Sequence, residues 1–336
     1  MKRKEFLNYI NNFRGIAILY IVMGHCISAF TWHEYASLKE VLRLTFTNGT
    51  ILFVFIAGYL FQYLSYKYQY GRYMKSKVLN VGMPYVIMSV PAIIYFTLFA
   101  QRPGMEYIND WPWILRVIQF YLVGAQLIPF WFIPMIFIHF FLSPLYIVGD
   151  RNKVLYYLLP VFFVISLFVW RGGPYQLQSY LHYAFVYFFG MFLCRYRESV
   201  NRILARPGVL LWLAAAVVGF ILFEFHMERG TLLAKRLNMI QHLFQCLFYI
   251  GFLIRFDPVI GKRMDLFASL SFGVFFIHSY LISIIKQAQL HFFGSLWVGT
   301  YWNFPLFFAA IVLLSMGFVL TVRRYAGSRS RMICGS

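Results

Sequence analysis

The chain has 336 residues, 61% of them hydrophobic and only 12% charged, with a formal net charge of +19. A soluble domain carries about a quarter charged residues, and here the apolar residues fall into separate runs of roughly 17–25, the length that crosses a hydrocarbon layer. Composition therefore excludes a soluble enzyme, and the continuity of the runs excludes the alternating pattern of a membrane β-barrel.

The N-terminal stretch MKRKEFLNYINNF has the charge of a signal peptide. Asn11, Asn12 and Arg14 interrupt what would be its apolar core, however, and no small-x-small cleavage site follows, so the segment reads as a retained first span. In chain order the sequence predicts an all-α polytopic bundle of ten transmembrane helices. They lie near 12–31, 45–65, 79–100, 127–148, 154–170, 180–194, 207–225, 238–256, 266–285 and 302–322. The runs near 154–170 and 180–194 are short and read as tilted, paired or partly re-entrant. A further piece, WPWILRVIQFYLVGA (111–125), carries Arg116 and is bounded by Pro112 and Gly124, which suits an interfacial helix. No repeat, low-complexity tract or long soluble loop appears, so residues 1–336 read as a single domain.

The net charge of +19 raises the question of nucleic acid, which needs a basic face on a water-exposed domain. Here the cations sit in short loops. With the N-terminus placed in the cytoplasm, twenty of the thirty Lys and Arg fall on that side and nine on the other, Arg14 being the remaining one. This asymmetry is the positive-inside pattern. It predicts both termini in the cytoplasm and accounts for the charge with membrane lipids rather than nucleic acid as the partner.

Cys26, Cys194, Cys246 and Cys334 share no spacing motif, so neither a disulfide framework nor a zinc site is expected. The histidines are scattered over different spans without His-x3-His or HExxH spacing, so no metal is expected. There is also no P-loop or dinucleotide fingerprint.

The first span carries the chemistry. Arg14 and His25 are eleven residues apart, which is three helical turns plus about 20°, so they share one face and differ in depth by roughly 16 Å. Arg14 taken alone reads equally well as an anchor reaching lipid phosphates, and His25 alone as a helix–helix hydrogen-bonding residue. Ionisable groups at such depths are costly unless they face the bundle interior or a wet cavity. Two of them in register imply one polar cleft, open to the cytoplasm at Arg14 and reaching inward to His25.

The string FRGIAILYIVMGH resembles the opening signature of the acyltransferase-3 family of integral-membrane acyltransferases, in which Arg or Lys and a later His mark the first span. FVFIAGYLF (53–61) is similar to the family's second-span motif, with Ala57 at a usual Ser. YMKSKVLNVGMPYVIMS (73–89) resembles the basic segment leading into Pro-Tyr, FWFIPMIFIHFFLSPL (130–145) the Trp-Phe…Pro motif, and SLSFGVFFIHSYLI (269–282) the late motif containing a His. The order of these landmarks spans most of the chain. The departures are Asn11, where members often have Asp, and Lys75, Lys77 and Asn80, where arginines are usual. Lys keeps the charge but loses bidentate phosphate recognition.

The resemblance implies acyl transfer, typically from acetyl-CoA at the cytoplasmic face to a hydroxyl of a glycan or lipid-linked sugar, in a bacterial inner membrane. His25 suits a general base, or a nucleophile that is transiently acylated. Arg14 at the cytoplasmic mouth suits the CoA phosphates, and Arg72, Lys75 and Lys77 add attraction for a polyanion, although each also fits ordinary positive-inside anchoring. His278, twelve residues into the ninth span, is expected at a depth similar to that of His25 and to orient substrate, with a packing hydrogen bond as its plain alternative. His139, His242, Glu224 and Asp257 read as packing or interfacial residues, and His33 and Glu34 as a solvated pair on the outer side. A glycan exporter is the alternative from another class, but it would show matching halves with interrupted helices, and Arg14/His25 has no counterpart in the second half. N-acylation or a succinyl donor is a third reading.

Overall fold

In lipid an apolar run has to satisfy its backbone internally, and without helix breakers it does so as a helix. The computed structural model describes residues 7–171 and 175–336; the protein is 80% helical and forms no strand among the described residues. In chain order the main helices are α1 (Asn8–Cys26), α2 (Ala36–Phe46), α3 (Thr50–Leu64), α4 (Tyr70–Lys77), α5 (Met83–Leu98), α6 (Trp113–Val123), α7 (Phe132–Phe141) and α8 (Ser143–Arg151). They continue as α9 (Leu159–Phe168), α10 (Gln176–Arg195), α11 (Arg197–Leu204), α12 (Pro207–Phe225), α13 (Leu232–Arg255), α14 (Asp265–Phe293), α15 (Asn303–Ala326) and α16 (Ser330–Cys334).

Each of the ten expected spans is helical, but not all are long enough to cross. Among the described residues seven helical segments have the length and hydropathy of a crossing: Asn8–Ala29, Ala36–Lys67, Tyr70–Leu98, Pro207–Phe225, Leu232–Arg255, Asp265–Phe293 and Asn303–Cys334. The pair α7–α8, bent by 52°, makes an eighth. The span expected near 154–170 shrinks to α9, whose ten residues cover about 15 Å, half of a hydrocarbon core. The piece expected at the interface, 111–125, contains α6. The protein is thus an all-α polytopic membrane bundle.

The described residues divide into two compact units: unit 1 comprises residues 7–64, 186–271 and 282–313, and unit 2 residues 65–171, 175–185, 272–281 and 314–336. In unit 1, α1 packs against α2, α3 and α13. The run read as one span from residue 45 is interrupted between α2 and α3. The Thr45 hydroxyl donates to the Val41 carbonyl at 2.7 Å and that of Thr47 to the Arg43 carbonyl, which also accepts the Thr47 N–H at 3.1 Å. The ladder then gives way to a turn in which the Gly49 N–H donates to the Phe46 carbonyl at 3.3 Å. Gly49 then passes beneath Tyr20, where an added Cβ would sit 3.2 Å from the Tyr20 Cβ. Helix α12 packs on α13 through Trp212, Phe220 and Phe244. Its other side is bare hydrocarbon, with Leu211 74% exposed, as a surface against lipid tails would be.

In unit 2 the helix leading into Pro84 widens to a π turn over Val78–Gly82, where a proline cannot continue the ladder. Arg116 of α6 donates to the Phe96 and Thr97 carbonyls at 3.0 Å each, closing the orphan end of α5. The bend between α7 and α8 also has a proline cause. Pro144 has no N–H for the Phe140 carbonyl, and the Ser143 hydroxyl donates to that carbonyl instead at 2.7 Å. His139 contacts the Tyr146 hydroxyl through Nδ1 at 3.2 Å, and Tyr146 meets Tyr180 at 3.1 Å, which is the packing role expected of that histidine.

Candidate functional site

The first span is held in unit 1 by amides. Asn8 Nδ2 donates to Asp257 Oδ1 at 2.6 Å and to the Gly261 carbonyl at 2.9 Å, and Asn12 Nδ2 donates to the same carbonyl at 3.0 Å. Asn11 Nδ2 donates to Asp265 Oδ1 at 2.7 Å. Residues 8, 11, 12 and 15 form one helix face, and at Gly15 that face comes so close to the chain around Met264 that an added Cβ would lie 3.1 Å from the Met264 side chain. Further round the helix Tyr9 meets the Tyr59 hydroxyl at 2.7 Å and accepts from Asn201 at 3.2 Å. Asp257, expected to be merely interfacial, is thus part of the clamp on α1.

This clamp orients Arg14. The residue is half-buried, while its neighbours Phe13 and Gly15 are buried. Its Nη2 donates to Ser271 Oγ at 3.4 Å, a long bond, and among the described residues no carboxylate lies within ion-pair distance. A guanidinium has five donors, so most of its charge and hydrogen-bonding capacity is left uncommitted inside the protein.

His25, also half-buried, lies three turns further along the same face. Gly24 beside it packs tightly, since a Cβ there would stand 2.8 Å from the Phe46 carbonyl oxygen. The Ser28 hydroxyl donates to the His25 carbonyl at 2.9 Å, and α1 tightens into a 3-10 turn over Ile27–Ala29. Beyond that turn an open cavity of about 350 Å³ is lined by Phe30, Thr31, Trp32, His33, Ala36, Lys39 and Arg229. Its wall is fixed by a backbone bridge between Thr31 and Val298 and by the Trp32 indole, which donates to the Ile27 carbonyl at 2.9 Å. His33 lines this open cavity and, like Glu34, is exposed. Arg229 and Arg43 both pair with Glu40, at 2.9 and 2.5 Å.

Sequence reading overlooked a polar stripe on α13. Asn238, Gln241, His242, Gln245 and Tyr249 recur at one-turn spacing on this span. The stripe meets the α2–α3 interruption: Asn238 and Gln241 donate to the Leu44 carbonyl at 3.2 and 3.3 Å, and Asn48 donates to Asn238 at 2.9 Å. Further along, Tyr249 meets the Tyr20 hydroxyl at 2.5 Å. The periodicity N-x-x-QH-x-x-Q-x-x-x-Y in an apolar helix is the signal by which this stripe is visible in the sequence.

The other expected site residues belong to unit 2. Arg72 and Lys75 are exposed on α4. Lys77 is half-buried with its ammonium over the rings of Tyr73 and Phe140, 5.2 and 4.8 Å from their centroids. His278 is fully buried in α14, with Nδ1 2.9 Å from the Val274 carbonyl and Nε2 3.4 Å from the Ser279 hydroxyl. Among the described residues no three His, Cys, Asp or Glu side chains come together as metal ligands.

The first span of this polytopic helical bundle thus carries Arg14, with no carboxylate partner among the described residues, and His25 in register with it. The family model of an acyltransferase domain, acyltransferase-3, matches residues 7–324, and the chain belongs to that family. It is a multi-pass membrane acyltransferase. Comparison with curated proteins and with solved structures finds no match.

Proposed function

We propose that the protein is an O-acyltransferase of the bacterial inner membrane. It would take acetyl from acetyl-CoA at the cytoplasmic side and pass it to a hydroxyl of a surface or exported polysaccharide, or of its lipid-linked precursor. The observation that carries this reading is Arg14, a half-buried cation without a carboxylate partner among the described residues, on the face of α1 that also bears His25. An anion belongs at such a guanidinium, and a CoA phosphate supplies one. The separation of roughly 16 Å along the helix suits a pantetheine arm reaching from phosphates to thioester.

In this reading His25 removes the proton of the acceptor hydroxyl. The oxygen attacks the thioester carbonyl, the carbon–sulfur bond breaks, and the CoA thiolate leaves and takes up the proton that His25 gained. His25 is equally placed in the chain to carry the acetyl transiently, releasing CoA first and acylating the acceptor second. Arg72 and Lys75, exposed at the cytoplasmic side, and Lys77 would raise the local concentration of the polyanionic donor. His278 is assigned to substrate binding.

Labelled acetyl-CoA given to membranes containing the protein should transfer label to glycan. His25→Ala should abolish transfer at an unchanged level of protein. Full activity in that variant would remove His25 from the chemistry.

A further inference from the structure

The stripe on α13 contains polar atoms that the fold leaves unused. Gln245 is 2% exposed, and neither its Nε2 nor its Oε1 has a hydrogen-bond partner. One turn earlier His242 is 0% exposed and its Nε2 is likewise without a partner. Its Nδ1 faces the Asn238 carbonyl at 2.8 Å. Only a protonated Nδ1 can donate there, which leaves the lone pair of the neutral ring on Nε2. Two acceptors and one donor therefore stand together inside a membrane span. By contrast, Asn238 and Gln241 on the same stripe are committed to the Leu44 carbonyl. The interrupted span explains the first half of the stripe and not the second.

The level of these atoms in the bundle follows from contacts within unit 1. Helix α13 runs antiparallel to α1: Tyr249 meets Tyr20, and the chain following α13, at Asp257 and Gly261, meets Asn8 and Asn12. Gln245 is four residues before Tyr249, about 6 Å toward the far end, and His25 is five residues beyond Tyr20, about 7.5 Å in the same direction. To within a turn, Gln245 and His25 lie at one depth.

We propose that Gln245, with His242 beside it, is a substrate-binding site for the acceptor and takes neighbouring hydroxyls of an uncharged sugar ring. A hydroxyl both donates and accepts, as this set of atoms requires. The set carries no fixed charge, so it does not suit a phosphate. It lies on the part of α13 away from the Arg14 end, where the donor's anionic groups are assigned. The acceptor is thus held at the depth of His25, on the side of α1 that bears Tyr20, about 140° round the helix from His25. This inference rests on the acyl-transfer reading above.

The plain alternative is one buried water satisfying all three atoms. The two differ in what an apolar replacement does. In purified protein, Gln245→Leu and the more flexible Gln245→Met remove a buried amide that the protein itself does not satisfy. The unfolding temperature should therefore stay or rise. Transfer from labelled acetyl-CoA is measured against graded amounts of the producing strain's isolated surface polysaccharide. Its kcat/KM for polysaccharide should fall at least tenfold, with the KM for acetyl-CoA changed less than twofold. Wild-type kinetics in either folded variant would overturn the inference, as would a rise confined to the acetyl-CoA KM. Loss of folding in both variants would overturn it too, since the amide would then be serving the fold. Transfer by wild type that survives in Gln245→Leu defeats this inference alone. A wild-type protein that transfers to no acceptor defeats the acyl-transfer reading and takes this one with it.

Discussion

Asn11 and Asp265 are joined by a hydrogen bond of 2.7 Å, one turn below Arg14 on the first span. Members of the family often carry an Asp where this chain has Asn11. Here the carboxylate of the pair is supplied by Asp265 from the opposite helix.

The Asn11–Asp265 bond makes a reciprocal prediction. Asn11→Asp sets two carboxylates against each other and removes the donor, at a cost of about 1–3 kcal/mol. It should lower the unfolding temperature and the transfer rate together. Asp265→Asn alone should cost less, because an amide can still accept from Asn11. Asn11→Asp combined with Asp265→Asn rebuilds the bond in reverse and should recover most of both losses. A double variant no better than Asn11→Asp would show that Asp265 has a further role.

Arg14 should act through binding of the acyl donor. Arg14→Ala is expected to raise the KM for acetyl-CoA at least tenfold, about 1.4 kcal/mol, and Arg14→Lys less, since the charge stays and the planar fork is lost. Ser271→Ala should change it less than twofold, because the bond from Arg14 Nη2 to Ser271 Oγ is 3.4 Å long. Steady-state kinetics with varied acetyl-CoA checks all three.

What the sequence made legible follows from which features are local. Arg14 and His25 lie on one helix, so fixed helical spacing gave their register without tertiary information. The ten apolar runs are helical for the same reason. Long-range pairing was out of reach. Nothing near Asn11 points to Asp265, and nothing near Arg116 points to the carbonyls it closes on α5. The interruption at residues 47–49 was concealed because Thr and Gly are tolerated within spans. Without that interruption in view, Asn238, Gln241 and Gln245 have no visible task in an apolar run, and His242 reads as a packing residue.

On α4, exposure separates two kinds of cation. Arg72→Glu and Lys75→Glu should raise the KM for the polyanionic donor, and the effect should shrink as ionic strength rises and the Debye length falls. Lys77 lies against the rings of Tyr73 and Phe140. Lys77→Ala should lower the unfolding temperature as well, since a cation over a ring contributes about 0.5–2 kcal/mol. Kinetics at two salt concentrations, alongside thermal unfolding, would separate attraction of the donor from packing.

The second span has a glycine whose place in the motif FVFIAGYLF has a steric cause. In unit 1, a Cβ on Gly58 would run into the Tyr187 carbonyl oxygen, and one on Gly190 into the Phe55 carbonyl oxygen. Each helix thus presents a glycine to the other's backbone, the close approach that small residues permit between membrane helices. Tyr59, next in the chain, holds Tyr9 of the first span at 2.7 Å. A displacement of α3 therefore reaches the helix that carries Arg14 and His25. Gly58→Ala and Gly190→Ala should each destabilise the protein by about 1–3 kcal/mol or more, lowering the unfolding temperature and with it the transfer activity. Gly219→Ala on α12 is the control: nothing lies within 4 Å of its added methyl, and a mid-helix alanine is favoured over glycine by about 1 kcal/mol. Its unfolding temperature should be unchanged or higher. Equal losses at all three positions would mean that the methyl group itself, rather than the backbone contact, is at fault.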